Sequence, residues 1–181
     1  MNYDLKETWT LWYDYLTNKQ SINQNDWMSN LNIISEVKNI PSFLYLTENI
    51  EPADKWPSPA NVHFFRKDIK PMWEDEKNKE GGKWVLEIEK SNWDINDIWN
   101  KTMAFCISEL VEGEICGAVF SPRKFLYRIS LWTRSTDENV CMKIGEKWKD
   151  IIDGNKRITI GFKTHNDNLK GYTVGNRFEI K

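Results

Sequence analysis

Alternation of apolar and polar residues along two segments is the feature of this sequence that most restricts its fold. In the segment from 83 to 89 the apolar side chains are Trp84, Leu86 and Ile88, with a polar or charged residue at most positions between them. In the segment from 127 to 133 the apolar set starts at Tyr127, and the opposite set is Arg128, Ser130, Trp132 and Arg134. Side chains alternate across a sheet, so each strand has one core face and one polar face. The pattern predicts an antiparallel sheet with one face covered.

Helical periodicity in other segments predicts the helices that cover the core face of this sheet. The spacing predicts a helix over 95 to 110 with Asp94 as its cap, an apolar stripe facing inward and Gly113 just past its end. A second amphipathic helix is predicted near 137 to 152, with Val140, Ile144, Trp148 and Ile151 inward, and Pro41 suits the start of a short helix. Further strands are predicted near residues 8 to 15, 31 to 37, 62 to 66, 115 to 121, 157 to 163 and 177 to 180. The fold class is therefore α+β: one curved antiparallel sheet of about eight strands, backed by about three helices on its convex face.

The length and composition of the chain indicate one globular domain. The 181 residues suit a single domain spanning 1 to 181, with residues 1 to 6 as a short tail. No apolar run reaches the length of a membrane span and no signal peptide is visible, so we expect a cytoplasmic monomer that does not contact a membrane. The three cysteines stand apart within apolar segments, as buried reduced thiols do. The two histidines are too few and too distant to suggest a metal site, and no cofactor motif is present.

Three tryptophans do not fit a purely structural role. Trp73 precedes a run of acids in PMWEDEKNKEGGKW, Trp27 lies in the polar segment NQNDWMSN, and Trp132 shares a strand face with two arginines. The net charge of −2 excludes coating by long nucleic acid through phosphate neutralisation alone, so an anion would have to be met locally. Aromatic rings stack on a base, a carboxylate accepts the adjacent N–H donors of guanine, and cations hold phosphates. A tryptophan flattened under arginine stems on a solvated sheet explains Trp132 equally well.

The segments TWTLWYD, PMWEDEKNKEGGKW, ICGAVF, RKFLYRISLWT and NRFEI resemble the eukaryotic translation initiation factor 4E family, which binds the 7-methylguanosine cap of messenger RNA. The resemblance runs from about Leu5 to the end of the chain and implies a cap slot on the concave face of the sheet. It implies that the protein promotes translation initiation by binding capped mRNA and cap analogues such as 7-methyl-GTP.

The family's cap-binding residues carry over one at a time. The two tryptophans that sandwich the base fall on Trp27 and Trp73, and the guanine-reading carboxylate falls on Glu74. The tryptophan beside the N7-methyl group falls on Trp132. The phosphate-binding cations fall on Arg123, Arg128 and Lys83. Many members have lysine at the second of these positions and arginine at the third, an exchange that keeps charge but alters the geometry of phosphate binding.

The surface for scaffold and repressor peptides departs from the family pattern. The partner-binding tryptophan of the family is Leu44 here, near Ile40, and the long-helix positions are Asn100, Lys101 and Ala104, where Leu, Glu and Leu are usual. We predict that binding of the scaffold factor 4G and of repressor peptides is weak or lost, and that a divergent partner docks at this surface. Drift of a solvated helix face is the alternative explanation.

Other functions remain open from the sequence alone. The protein could be a cap-binding translational repressor, or a viral or paralogous cap-binder with a non-standard scaffold. An enzyme acting on nucleotides is disfavoured, because the sequence has no phosphate-binding glycine loop, Cys/His pair or metal cluster. A carbohydrate- or peptide-binding module with exposed tryptophans is the third class.

Overall fold

A single antiparallel sheet forms the frame of the protein. The computed structural model describes residues 3–15, 28–153, 157–169 and 175–181. Eight strands pair in the order β2-β1-β3-β5-β6-β4-β7-β8. Their bounds are β1 Asp4–Tyr15, β2 Asn32–Asn39, β3 Ala60–Arg66, β4 Gly82–Glu89, β5 Ile115–Pro122, β6 Leu126–Thr133, β7 Ile160–Thr164 and β8 Phe178–Ile180. Because β1 begins at Asp4, the expected six-residue tail is too long by three residues.

Three long helices cover one face of this sheet. They are α1 Ile40–Asn49, α2 Ile95–Ser108 and α3 Glu138–Ile152; a five-residue helix, α4 His165–Leu169, follows β7. Apolar side chains of all three long helices join those of the strands in one core that includes Trp9, Phe64 and Trp84. The predicted α+β architecture is confirmed, and none of the three long helices packs on the opposite face of the sheet. No helix in the described ranges is both long and apolar enough to cross a membrane.

Local signals at the helix starts act as predicted. Asp94 accepts a hydrogen bond from the Asp97 backbone N–H at 3.1 Å, and Pro41 lies in the first turn of α1 behind an Asn39 capping box. The inward stripe predicted for α2 is buried. The three cysteines are free and buried, as expected, and burial raises the pKa of Cys116 to about 11.

Two details of the helices differ from the prediction. Helix α2 ends at Ser108, and Glu109, not a glycine, takes the left-handed conformation with φ of 53°. The left-handed conformation is unfavourable for a residue with a side chain. The Glu109 carboxylate offsets this cost by pairing with Arg66 at 2.6 Å and by accepting a hydrogen bond from the Gly113 N–H at 3.1 Å. In α3 the buried positions are Cys141, Ile144, Gly145, Trp148, Lys149 and Ile152. Val140 and Ile151 are only half-buried, because the helix packs with its face turned by about one residue from the predicted stripe.

Candidate functional site

The open face of the sheet holds a cavity of about 630 Å³. Strands β3, β5, β6 and β4 form its floor, and the loop between β3 and β4 forms one wall. The lining residues are Asn61, His63, Pro71, Met72, Trp73, Glu74, Lys83, Val119, Ser121, Arg123, Arg128, Ser130 and Trp132. Six residues predicted to bind the cap therefore meet at one place. The seventh, Trp27, lies outside the described residues.

A buried asparagine shapes the loop that carries Trp73. The Asn78 side chain is fully buried and donates to the backbone oxygens of Lys70, at 2.9 Å, and Met72, at 2.7 Å. Met72 packs inward while the next side chain, Trp73, is 42% exposed at the cavity rim. Trp73 is the one exposed tryptophan in the described part of the chain. Its ring is therefore held in place by the loop but left open for stacking.

Three consecutive acids follow Trp73, and the structure separates their roles. Asp75 accepts from the backbone N–H groups of Lys70, at 3.0 Å, and Lys77, at 2.9 Å, so it holds the loop together. Glu76 is exposed and pairs with Lys79 at 2.6 Å. Glu74 alone of the three lines the cavity, and no other described residue hydrogen-bonds or pairs with its carboxylate. Its acceptor oxygens are available to a ligand.

The Gly81-Gly82 pair lets this loop rejoin the sheet. A Cβ at Gly81 would lie 1.9 Å from the backbone oxygen of Thr133, and one at Gly82 would lie 2.5 Å from that of Lys163. Any side chain at these positions would collide with backbone. The close approach brings Lys83 into register with Trp132, its direct partner on β6.

Trp132 forms the inner end of the cavity. It is 9% exposed, with its ring edge-to-face against Phe65 at 5.3 Å, so it does not lie flat under arginines on a solvated face. The ring of His165 lies 4.4 Å from that of Trp132. Burial, assisted by nearby Lys83, lowers the pKa of His165 to about 4. This imidazole is neutral near pH 7 and adds no positive charge beside Trp132.

Basic side chains crowd the same cavity. Burial lowers the pKa of Lys83, and the charges of Arg128 and Lys163 lower it further. The pKa of Arg123 is also lowered, first by burial and then by Arg128, with Asp14 opposing. An anion that binds between like charges relieves their repulsion. The arrangement favours a ligand carrying several negative charges.

Arg128 is not wholly free for such a ligand. Its Nε and Nη2 both contact the same Glu87 oxygen, at 2.7 and 2.5 Å. Both side chains are almost half exposed, so solvent screens the pair and its strength is modest. A phosphate would compete with Glu87 for the guanidinium.

Arg123 is fixed by a polar network that the sequence reasoning missed. Its guanidinium donates to Asn61 Oδ1 at 3.0 Å, and Ser121 donates to the same oxygen at 2.7 Å. Asn61 in turn donates to the fully buried Asp14 at 2.9 Å, whose second oxygen lies 2.5 Å from His63 Nε2. The alternation in the segment ANVHFF could have predicted part of this network, because it places Asn61 and His63 together on the face opposite the core.

The predicted partner surface lies on the helix-covered side. Leu44 is 52% and Ile40 is 39% exposed on α1. On α2, Lys101 pairs with Asp97 at 2.6 Å, while Asn100 and Ala104 are half-buried. Two of the five positions are thus exposed apolar residues on α1, and the other three lie on a partly polar stretch of α2.

Comparison with known proteins agrees with this geometry. The family model described as eukaryotic initiation factor 4E matches residues 4–177. The chain belongs to the eukaryotic initiation factor 4E family. Translation initiation factor 4E of Candida albicans is 32% identical over 174 residues, which cover 92% of this chain and 82% of that protein. That of Aplysia californica is 32% identical over an alignment of 188 residues, covering 99% and 85%.

Solved structures of factor 4E proteins share the fold. The Ascaris suum factor 4E-3 is 28% identical, with a TM-score of 0.87 over 99% of both chains, in a complex with an m2,2,7G cap. The same factor in complex with an m7G cap gives the same TM-score and identity. These likenesses show the initiation factor 4E fold for this chain.

Proposed function

We propose that this protein binds the 7-methylguanosine cap of messenger RNA and so promotes translation initiation. The observation that carries the proposal is the convergence on one cavity of Trp73, Trp132, three cations and Glu74, whose carboxylate pairs with no described residue. These groups match the three parts of the ligand, namely a cationic base, its N–H edge and a phosphate chain. The cap complexes of the Ascaris suum relative support the same ligand class.

The base belongs at the loop end of the cavity. Trp73 supplies one stacking face, and Trp27 is proposed as the other. Glu74 accepts the adjacent N1–H and amino donors of guanine. Trp132, beside a neutral His165, is proposed to contact the N7-methyl group. Because methylation makes the base cationic, each ring gains attraction for it.

The phosphates are proposed to lie along the floor at Arg123 and Arg128, with Lys83, the register partner of Trp132, reaching them from the base end. Arg123 is held in place before the ligand arrives, because Asn61 and the backbone oxygens of Ala60 and Pro122 accept its N–H groups. Preorganisation reduces the ordering cost of binding. Arg128 must give up its ion pair with Glu87 to bind a phosphate. Its contribution to the binding free energy is therefore smaller than that of an unpaired arginine.

Retention on 7-methyl-GTP resin tests the proposal. The intact protein should bind and be eluted by free 7-methyl-GTP but not by the same concentration of GTP. Trp73→Ala should lose retention while keeping its thermal transition, since the ring is exposed and buries little core area. Equal elution by GTP, or full retention of Trp73→Ala, would contradict cap binding at this cavity.

We further propose a binding protein rather than an enzyme, acting in the cytoplasm. The curated relatives are named as initiation factors. An unchanged cap analogue after long incubation with the protein would support this, and release of 7-methyl-GDP would contradict it.

A cap-binding translational repressor, or a cap-binder with a non-standard scaffold, is the second candidate. The favouring observation is the Asp97–Lys101 ion pair, which places charge on the α2 part of the predicted partner surface. The Caenorhabditis elegans factor 4E-3, 25% identical here, has been solved with the 4E-binding protein Mextli. We propose that a scaffold or repressor peptide contacts Ile40, Leu44, Asn100, Lys101 and Ala104. Leu44→Trp should strengthen binding of a scaffold-derived peptide in a calorimetric titration. An unchanged affinity would show that the peptide does not bind at Leu44.

A further inference from the structure

Two lysines lie directly opposite one another on the face of the sheet that holds the cavity. Lys83 on β4 is in register with Lys163 on β7, and with Trp132 of β6 on its other side. Phe162, which precedes Lys163, is buried in the core, so the Lys163 side chain points to the opposite face. Lys83 lines the cavity on that same face. A row of Trp132, Lys83 and Lys163 therefore crosses three neighbouring strands.

This pairing of lysines is unfavourable in the unliganded protein. Side chains directly opposite on antiparallel strands have Cβ atoms about 4.5–5.5 Å apart, and like charges at such positions destabilise a sheet. Both side chains are half-buried, so water screens their repulsion only in part. Within the described ranges no carboxylate forms an ion pair with either lysine, and Glu87, on the same face of β4, pairs with Arg128 instead. Departures of this kind from the rules of sheet pairing are expected at functional sites.

Lys163 is close enough to the proposed phosphate site to act together with Lys83. A hollow of about 270 Å³ adjoins the cavity on the same face of the sheet, and its lining residues are Val85, Glu87, Thr159, Gly161, Lys163 and Asn176. The ion pair of Arg128 with Glu87 joins the two, because Arg128 lines the cavity and Glu87 lines the hollow. Neighbouring strands are about 4.8 Å apart, and a lysine side chain is long and flexible. Lys163 can therefore reach an anion that Lys83 binds.

We propose that Lys163 is a further phosphate-binding residue of the cap site, and that it holds one phosphate group together with Lys83. A phosphate between the two ammonium groups replaces their mutual repulsion by attraction to a shared anion. The proposal rests on the proposed cap binding and adds to that site a residue that the family resemblance did not supply. It predicts that Lys163 contributes to the binding of 7-methyl-GTP but not to that of the 7-methylguanosine nucleoside, which carries no phosphate.

Calorimetric titrations with 7-methyl-GTP and with the nucleoside test this role. Lys163→Gln should weaken binding of 7-methyl-GTP by about two- to fivefold and leave binding of the nucleoside unchanged. Lys163→Arg keeps the charge and should bind 7-methyl-GTP as the unchanged protein does. Lys143→Gln is the matched control, because it removes the same charge from an exposed position on α3, on the helix-covered side, and should change neither affinity.

Two further measurements distinguish phosphate binding from a structural role of Lys163. A higher salt concentration should reduce the difference in 7-methyl-GTP affinity between Lys163→Gln and the unchanged protein, because salt screens the attraction between ammonium and phosphate. The thermal midpoint of unliganded Lys163→Gln should equal or exceed that of the unchanged protein, because the substitution removes the repulsion from Lys83.

Other results would overturn the proposal. An unchanged 7-methyl-GTP affinity in Lys163→Gln, equal losses for both ligands, or a loss that persists at high salt would show that Lys163 does not bind phosphate, while cap binding itself would stand. A lower thermal midpoint of Lys163→Gln would contradict the repulsion between the two lysines. Failure of the unchanged protein to bind 7-methyl-GTP would instead overturn the proposed function.

Discussion

Removal of the Glu74 carboxylate should abolish recognition of the guanine edge without unfolding the protein. Glu74 lines the cavity and pairs with no other described residue, so Glu74→Ala breaks no contact of the unliganded structure within that part of the chain. We expect the free energy of unfolding to change by less than about 0.5 kcal/mol, as for most surface substitutions.

The loss of binding should be large. Two charge-assisted hydrogen bonds to the base would be lost, at about 1.5–3 kcal/mol each. The sum of about 3–6 kcal/mol corresponds to a weakening of roughly two to four orders of magnitude. Both N–H donors of the guanine would also be left without partners inside the slot, which adds to the penalty.

Titration calorimetry with 7-methyl-GTP measures this loss directly. Glu76→Ala is the matched control, because it removes an acid two residues away whose partner is Lys79 outside the cavity. The control should bind within about twofold of the unchanged protein, since its ion pair is exposed. Affinity of Glu74→Ala within tenfold of the unchanged protein, with thermal unfolding preserved, would refute the assigned role.

Three further substitutions test the polar groups around the site. Asn61→Ala removes the one side-chain acceptor of Arg123 among the described residues and should weaken binding of 7-methyl-GTP by about three- to tenfold, while binding of the 7-methylguanosine nucleoside changes little. Equal losses for both ligands in calorimetry would contradict this. Glu87→Gln releases Arg128 and should tighten 7-methyl-GTP by about two- to fivefold, and weaker binding would show that Glu87 supports Arg128 instead. Because the pKa of His165 is about 4 in the folded protein against 6.5 ordinarily, the unfolded chain binds the proton first. The stability due to neutral His165 is therefore complete above pH 6.5, and it falls by roughly 3 kcal/mol as the pH drops toward 4. Urea unfolding at pH 7 and pH 4.5 measures this loss. In His165→Gln the difference in unfolding free energy between the two pH values should be smaller by that amount, and an unchanged difference would contradict the account.

Sequence periodicity was sufficient for the frame of the fold. The alternation at 83 to 89 and at 127 to 133 placed Lys83 and Trp132 on the open face, and the structure puts them in direct register. A helix end was harder to predict, because the left-handed residue is Glu109, held by Arg66, which is distant in sequence. Such a tertiary pairing leaves no local signal.

The choice of Glu74 among three adjacent acids shows where local reasoning ends. Nothing in the sequence WEDE distinguishes them by charge or spacing. The structure does, because Asp75 is occupied by backbone donors and Glu76 by Lys79. The support of Arg123 by Asn61 and Asp14 was missed for a related reason, since β1 and β3 become neighbours only in the folded sheet.

Discrimination between 7-methyl-GTP and GTP tests the central claim most directly. Calorimetric titration of the unchanged protein with both nucleotides gives the ratio of their dissociation constants. Loss of about 2 kcal/mol of cation-π attraction for each desolvated tryptophan predicts a ratio of roughly two to three orders of magnitude in favour of the methylated base. A ratio near one would contradict recognition of the cap by the tryptophans of this cavity.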